Sequence, residues 1–180
     1  MTTAGQRIEI PLSKTNIFLM LIGSLTFVAI GLSFVITPPT IQNSFWGNPT
    51  KIVIAGYASI IFFGLCAFFF IRKLPDNKPG LIIDNIGLTD NSSGVSAGQI
   101  LWSDIEYISV IEIHRQKLIM LHVKNPQDYI DKHTTGFKRK MMKMNFKMYG
   151  TPLSLTSNGL KISFNELFTT LTNKLNASRQ

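Results

Sequence analysis

The chain has 180 residues, a formal net charge of +8 at pH 7 and one cysteine. A single cysteine, Cys66, excludes an intramolecular disulfide, so the fold requires no oxidising compartment. The positive charge fits contact with anionic lipid or nucleic acid, or the basic flanks that any small membrane protein carries.

Residues 1–16 form a short lead before the first apolar stretch. Within it, residues 7–12 (RIEIPL) alternate polar and apolar side chains. This alternation is compatible with a strand that joins a later domain and equally with a segment lying at a membrane interface. The sequence leaves both alternatives open.

Two uncharged apolar stretches follow, at residues 17–36 and 52–71. A helix of that length spans about 30 Å, the thickness of a bilayer core. Since backbone groups in lipid must bond to one another, each stretch is predicted to be a transmembrane helix. Thr37, Pro38 and Pro39 follow the first stretch in place of a small-residue cleavage site, so it is interpreted as a retained anchor.

The flanking charges predict the orientation of this hairpin. Residues 37–51, between the stretches, contain Lys51 as their one basic residue, and the positive-inside rule then places both termini in the cytoplasm. The basic residues that flank the hairpin are Arg7 and Lys14 before it and Arg72, Lys73 and Lys78 after it. The predicted segments are a lead (1–16), a helix (17–36), an external loop (37–51), a helix (52–71), a linker (72–79) and a cytoplasmic domain (80–180).

Small residues and one aromatic residue add detail to the predicted hairpin. The pairs Ala29/Ser33 and Ala55/Ser59 have the four-residue spacing that lets membrane helices approach closely, although chance also produces it. Trp46 in the loop is predicted to lie at the headgroup level.

The first half of the C-terminal domain is predicted to be β-rich. Strand signals cover residues 81–84, 88–90, 99–102, 105–113 and 118–123, separated by turn residues. Alternation from 105 to 113 predicts one face with Ile105, Tyr107, Ser109, Ile111 and Ile113. The spacing would allow His114 and His122 to face each other across a hairpin. With no third ligand at metal spacing, no metal and no cofactor are predicted. Trp102 is interpreted as a core aromatic with a bonded N–H.

The second half is predicted to be mostly helical. Helices are expected at 125–132 and 137–149, the second ended by Gly150, with a last strand at 153–156. Ser163 and Glu166 form a capping box before a final amphipathic helix. Its apolar stripe is Phe164, Leu167, Phe168, Leu171 and Leu175.

Several of these segments carry a resemblance. Residues 81–84, Gly87 and the Leu101-Trp102-Ser103-Asp104-Ile105 boundary resemble the opening of bacterial pleckstrin-homology-like domains. Residues 80–83, 90–96 and 137–152 resemble a small family of two-pass bacterial inner-membrane proteins carrying such a domain. The resemblance implies a membrane α-helical hairpin plus an α+β domain, a curved antiparallel sheet with a C-terminal capping helix. The helical insert before the last strand departs from the plain fold, and the family motifs name no catalytic residues.

The strongest functional signal is the basic amphipathic segment 137–149. Its candidate binding residues are Phe137, Lys138, Arg139, Lys140, Met141, Lys143, Met144, Lys147 and Met148. They are predicted to contact anionic lipid of the bilayer or a membrane protein partner; alternatively, the methionines fill the domain core. No stacking motif accompanies the charge, so nucleic acid is not expected as a partner.

Three function classes follow from these observations. The leading prediction is a non-enzymatic, membrane-tethered binding module. By analogy, the second is an immunity factor against a membrane-active peptide or toxin. An enzyme is not expected, because no polar constellation converges in the sequence; Asp104, Glu106 and His114 lining one deep pocket would revive that hypothesis.

Overall fold

A computed structural model describes residues 7–39, 49–92, 98–132 and 136–179, which form two compact units. Residues 14–76 are a helical hairpin, and residues 7–13 together with 77–179 are an α+β domain. The helices are α1 (Lys14–Ile36), α2 (Pro49–Lys73), α3 (Pro126–Asp131), α4 (Gly136–Tyr149) and α5 (Phe164–Ala177). The strands are β1 (Ile8–Ile10), β2 (Leu81–Ile83), β3 (Gly87–Asp90), β4 (Gly98–Leu101), β5 (Ile105–Ile113), β6 (Gln116–Val123) and β7 (Leu153–Leu155).

Helices α1 and α2 are both long and apolar enough to cross a membrane. Most of their large side chains face outward: Ile61 is 64% exposed and Leu65 is 66% exposed. The hydroxyl of Ser24 donates to the carbonyl oxygen of Met20 at 2.8 Å, and Thr26 donates to Ile22 at 3.0 Å. These hydroxyls therefore bond within their own helix, as a lipid environment requires.

The two helices pack along a seven-residue repeat. Ile17, Ser24 and Gly31 are the buried residues of α1, each seven positions from the next. This spacing is the signature of left-handed, coiled-coil-like packing. The closest approach lies at Gly31 and Gly56, where a Cβ on Gly31 would lie 2.9 Å from the carbonyl oxygen of Gly56.

The small-residue prediction was therefore partly wrong. Ala29 and Ser33 are exposed on the outer surface of α1, because the seven-residue repeat turns Gly31 into the seam instead. Ser59 does lie at the contact, where its hydroxyl donates to the carbonyl oxygen of Phe27 at 3.0 Å. Trp46 lies outside the described residues.

The base of the hairpin is closed by Lys14. Its ammonium group donates to the carbonyl oxygen of Leu74 at 2.5 Å and to that of Asp76. Lys73 and Asp76 form an ion pair at 3.0 Å beside it. The start of α1 and the end of α2 are thus adjacent, as expected for an antiparallel hairpin.

The α+β domain contains a four-stranded antiparallel sheet, ordered β1-β2-β3-β4, and a three-stranded antiparallel sheet, ordered β5-β6-β7. The sequence was compatible with residues 7–12 forming a strand of the domain or an interfacial segment, and in the structure they include strand β1. Ile8 pairs with Ile83 and Ile10 pairs with Leu81, so the lead supplies a strand of the domain. The predicted domain, residues 80–180, is thus completed by residues that precede the hairpin.

One core joins both sheets to helix α5. Leu167 and Leu171 are 0% exposed and Leu175 is 4% exposed, which confirms the predicted stripe. The hydroxyl oxygen of Ser163 accepts from the backbone N–H of Glu166 at 3.3 Å and caps this helix. Trp102 is 4% exposed, and its Nε1 donates to the carbonyl oxygen of Asp84 at 2.8 Å, as predicted.

Strand β5 departs from the predicted alternation. Its pairing with β6 shifts between Ile105 and Tyr107, so Ile105 lies in the core at 2% exposure while Tyr107 is 53% exposed. A bulge places an extra residue in one strand, which moves Ile105 off the face that Tyr107 occupies. His114 lies in the two-residue turn after β5, and His122 pairs with Tyr107, so the two histidines do not face each other.

Candidate functional site: the surface of helix α4

Helix α4 lies against the three-stranded sheet and ends as the sequence predicts. Gly150 has φ +75°, and its N–H donates to the carbonyl oxygen of Phe146 at 2.9 Å. Asn145 Nδ2 donates to the hydroxyl of Ser154 at 3.4 Å. Leu153 and Leu155 point into the core, so this bond places Asn145 over the other face of β7.

The side of α4 that packs on the domain is centred on Met142, which is 1% exposed and belongs to the main core. The half-buried side chains around it are Lys138, Met141, Asn145 and Tyr149. Met142 was not among the candidate residues. The packed positions recur at helical spacing, but their mixture of lysine, methionine, asparagine and tyrosine carries no clear apolar signal.

The predicted apolar side of α4 is largely uncovered. Phe137 is 69% exposed, Met144 is 45% exposed and Met148 is 59% exposed. These three residues are called the apolar ridge. Of the four residues predicted for this side, Met141 alone is half-buried, so the alternative that all these methionines fill the core is wrong.

Three exposed lysines flank the ridge: Lys140, Lys143 and Lys147. At about 100° per residue they lie roughly 60° to 120° around the helix from the ridge. The face that packs on the domain, centred on Met142, borders the ridge on the side away from these lysines. The exposed surface of helix α4 therefore includes the apolar ridge with a band of positive charge, the three lysines, along one of its edges.

The other two basic candidates are placed differently. Lys138 is half-buried on the packed side. Arg139 forms an ion pair with Asp131 at 2.5 Å, next to a hydrogen bond from Gln127 to the same carboxylate at 2.7 Å. The bond from Gln127 and the charge of Arg139 lower the pKa of Asp131. The carboxylate thus offsets the charge of Arg139, and the positive band consists of the three lysines.

Asp104 belongs to a separate polar pocket of about 220 Å³. The lining residues are Gln99, Leu101, Asp104, Asn125, Asp128, Tyr129 and Lys132. Glu106 and His114 do not line it, so this pocket does not bring Asp104, Glu106 and His114 together. Tyr129 donates to Asp104 Oδ2 at 2.7 Å, and burial, together with this carboxylate, raises the pKa of Tyr129. The tyrosine is therefore a permanent donor that ties α3 to the Trp102–Asp104 turn.

His122 forms a second polar group that sequence reasoning missed. Its Nε2 lies 2.9 Å from the Ser109 hydroxyl, and its ring stacks on Tyr107 with 4.1 Å between centroids. Burial lowers the pKa of His122, an effect that the charge of Glu106 opposes. No local signal reveals this group, because the shifted register of β5 creates the pairing.

In the part of the chain that the structure describes, no three His, Cys, Asp or Glu side chains group as metal ligands. The surface of α4 is accordingly the feature with the clearest chemical character. No family model, no curated protein and no solved structure matches the chain.

Proposed function

We propose that this protein is a non-enzymatic, two-pass membrane protein whose domain is pleckstrin-homology-like and binds the surface of its own membrane through α4. A four-stranded sheet followed by a three-stranded one and a C-terminal helix supports the fold assignment. The resemblance to two-pass bacterial proteins is part of the same proposal, and it implies the bacterial inner membrane.

The orientation proposed for the anchor has both termini in the cytoplasm. Basic residues at both outer flanks of the hairpin favour it. The pairing of β1 with β2 supports the part of this proposal that puts both termini on one side, because two strands of one sheet cannot lie on opposite sides of a bilayer. An even number of crossings satisfies both conditions.

The uncovered apolar ridge beside the lysine band is the observation that carries the lipid assignment. Burying a large apolar side chain contributes about 1.5–3 kcal/mol, so Phe137, Met144 and Met148, each about half exposed, would together contribute roughly 3–5 kcal/mol. Each lysine near an anionic leaflet contributes about 1 kcal/mol. A helix with these two adjoining surfaces suits the boundary between headgroups and acyl chains.

The tether strengthens this weak contact. Residues 74–80 join α2 to β2, and a chain of seven residues reaches at most about 25 Å. The domain thus stays within reach of the leaflet, and binding becomes an intramolecular step with a high effective concentration. A free domain with the same helix would bind far more weakly.

Depth-dependent quenching of a fluorophore on α4 tests the proposal in the full-length protein. Met148→Cys in a Cys66→Ala background carries the fluorophore, and the protein is reconstituted into phosphatidylcholine vesicles with or without phosphatidylglycerol. Spin-labelled acyl chains should quench the fluorophore more strongly in the anionic vesicles. Asn176→Cys, labelled on α5, provides the control position.

Two triple variants distinguish binding by the lysine band of α4 from a general effect of net charge. Lys140→Gln, Lys143→Gln and Lys147→Gln together should reduce the quenching about tenfold or more. The matched triplet Lys124→Gln, Lys132→Gln and Lys161→Gln removes the same charge from exposed sites elsewhere and should leave it unchanged. Equal losses in both triplets, or no quenching in any vesicle, would reject the lipid assignment and direct attention to a protein partner.

A further inference from the structure

The α+β domain is built from two pieces of chain that the hairpin separates. Residues 8–13 precede α1, whereas the rest of the domain follows α2. Within the short first piece, Ile10 is 4% exposed and Leu12 is 3% exposed. These values match the core of the domain, so the first piece is an integral part of the fold.

Residues 8–13 occupy a groove with two walls. One wall is β2, which pairs with Ile8–Ile10 in antiparallel register. The other is the segment 159–161: Leu12 bridges to Leu160, the N–H of Ser13 donates to Gly159 at 2.9 Å, and Lys161 donates to Pro11 at 2.9 Å. This groove, between β2 and residues 159–161, is called the N-strand groove.

The floor of the N-strand groove is shaped for this segment. A Cβ on Gly80 would lie 2.5 Å from the Leu160 side chain and 2.9 Å from that of Leu12. The two leucines therefore pack directly over the glycine backbone. Without residues 8–13 the groove would leave Leu160 uncovered and the outer edge of β2 unpaired, an exposed edge of the kind that proteins avoid.

We propose that residues 8–13 are an intramolecular ligand of the N-strand groove, and that filling the groove makes folding of the domain depend on two-pass insertion. Residues 8–13 are synthesised before α1, and both walls of the groove are synthesised after α2. A chain with one helix across the membrane would hold the ligand and the groove on opposite sides of a hydrocarbon layer about 30 Å thick. Among chains whose first helix crosses the membrane, only those in which the second helix also crosses can complete the domain.

Cysteine cross-linking in the full-length protein tests the same-side pairing. Glu9 is the register partner of Ile82, and Ile82 is the partner of Thr89 in the next strand. In a Cys66→Ala background, Glu9→Cys with Ile82→Cys should form a disulfide in native membranes on mild oxidation. Glu9→Cys with Thr89→Cys is the matched control, because two strand spacings of about 4.8 Å separate those positions. Equal cross-linking of the two pairs, or none in the first pair, would overturn the proposal.

A second measurement tests whether the domain needs its ligand. Ile10→Asp should remove most of the protease protection of residues 77–179, although no residue of that stretch is changed. Glu9→Gln, at an exposed position of the same strand, should leave the protection intact. Full protection in the Ile10→Asp protein would show that the domain folds without the strand and would refute the dependence. Neither measurement involves α4, so failure here leaves the lipid assignment untouched.

Discussion

Two methionines on α4 provide the sharpest test of how this helix is used. Met142 and Met144 are two positions apart, yet Met142 is 1% exposed and Met144 is 45% exposed. The same substitution to glutamine at each site should therefore have opposite consequences. At Met142 it removes core packing and buries an amide, which together cost about 3 kcal/mol or more. For a domain of this size we expect a Tm lower by about 10 °C or more.

At Met144 the same change should leave the free energy of unfolding within about 0.5 kcal/mol, because the side chain is half exposed. It should instead remove roughly 1 kcal/mol of contact with the bilayer, a loss of about fivefold in the lipid-bound population. Met142→Gln should unfold at lower temperature without changing the bilayer contact of the folded protein.

Both quantities are measurable in one preparation of the full-length protein. A Trp46→Phe background leaves Trp102, which is 4% exposed, as the single tryptophan reporting thermal unfolding. Quenching of the fluorophore at position 148 by spin-labelled lipid reports contact with the bilayer. If Met144→Gln lowered the Tm as far as Met142→Gln does, the ridge would belong to the core and the reasoning would fail. Unchanged quenching would mean that the ridge does not enter the bilayer.

Three further predictions concern stability. His114 and Arg115 have φ of +48° and +66°, values that favour asparagine and glycine. The double variant His114→Asn with Arg115→Gly should therefore raise the free energy of unfolding, measured by urea titration, by about 1–2 kcal/mol. A decrease would contradict the turn geometry. A Cβ on Gly56 would lie 2.8 Å from the facing glycine's carbonyl oxygen, so Gly56→Leu should lower the SDS concentration that separates the helices, whereas Gly64→Leu, where nothing lies within 4 Å, should not. Burial lowers the folded-state pKa of His122 below 6.5, so the unfolded chain binds the proton first and the free energy of unfolding should fall as the pH drops below about 6.5. His122→Gln should flatten this dependence of the free energy of unfolding on pH. An unchanged pH dependence in that variant would assign the effect to other groups.

The features that the sequence predicted well are those that nearby residues determine. Helix α5 begins at Phe164 because Ser163 caps it, and α4 ends at Gly150 because that residue adopts a positive φ. The apolar ridge and the lysine band are equally local, since a single helical period defines both. Which of two neighbouring methionines, Met142 or Met144, faces the core depends on the position of the sheet, and periodicity carries no information about that.

The features that the sequence missed depend on partners far along the chain. The shift of register at Ile105 separates Ile105 from the face of Tyr107 and creates the His122 stack, yet perfect alternation continues through it in the sequence. Residues 7–12 were compatible with two environments, because their partner strand begins at Leu81, beyond both helices. Gly31 was overlooked in favour of Ala29 and Ser33, because four-residue spacing and the seven-residue seam select different sides of α1.

The ammonium group of Lys14 bonds to the carbonyl oxygens of Leu74 and Asp76 and so joins the two ends of the hairpin. The hairpin is therefore a long insertion between two neighbouring strands, β1 and β2. The points where the chain leaves and re-enters the domain are close together, as at the ends of an ordinary loop. A few glycines and serines joining Ser13 to Asn77 would replace residues 14–76 and keep β1 beside β2. Such a shortened chain is a natural starting point for a water-soluble form, whereas a fragment cut at residue 79 or 80 would lack a strand.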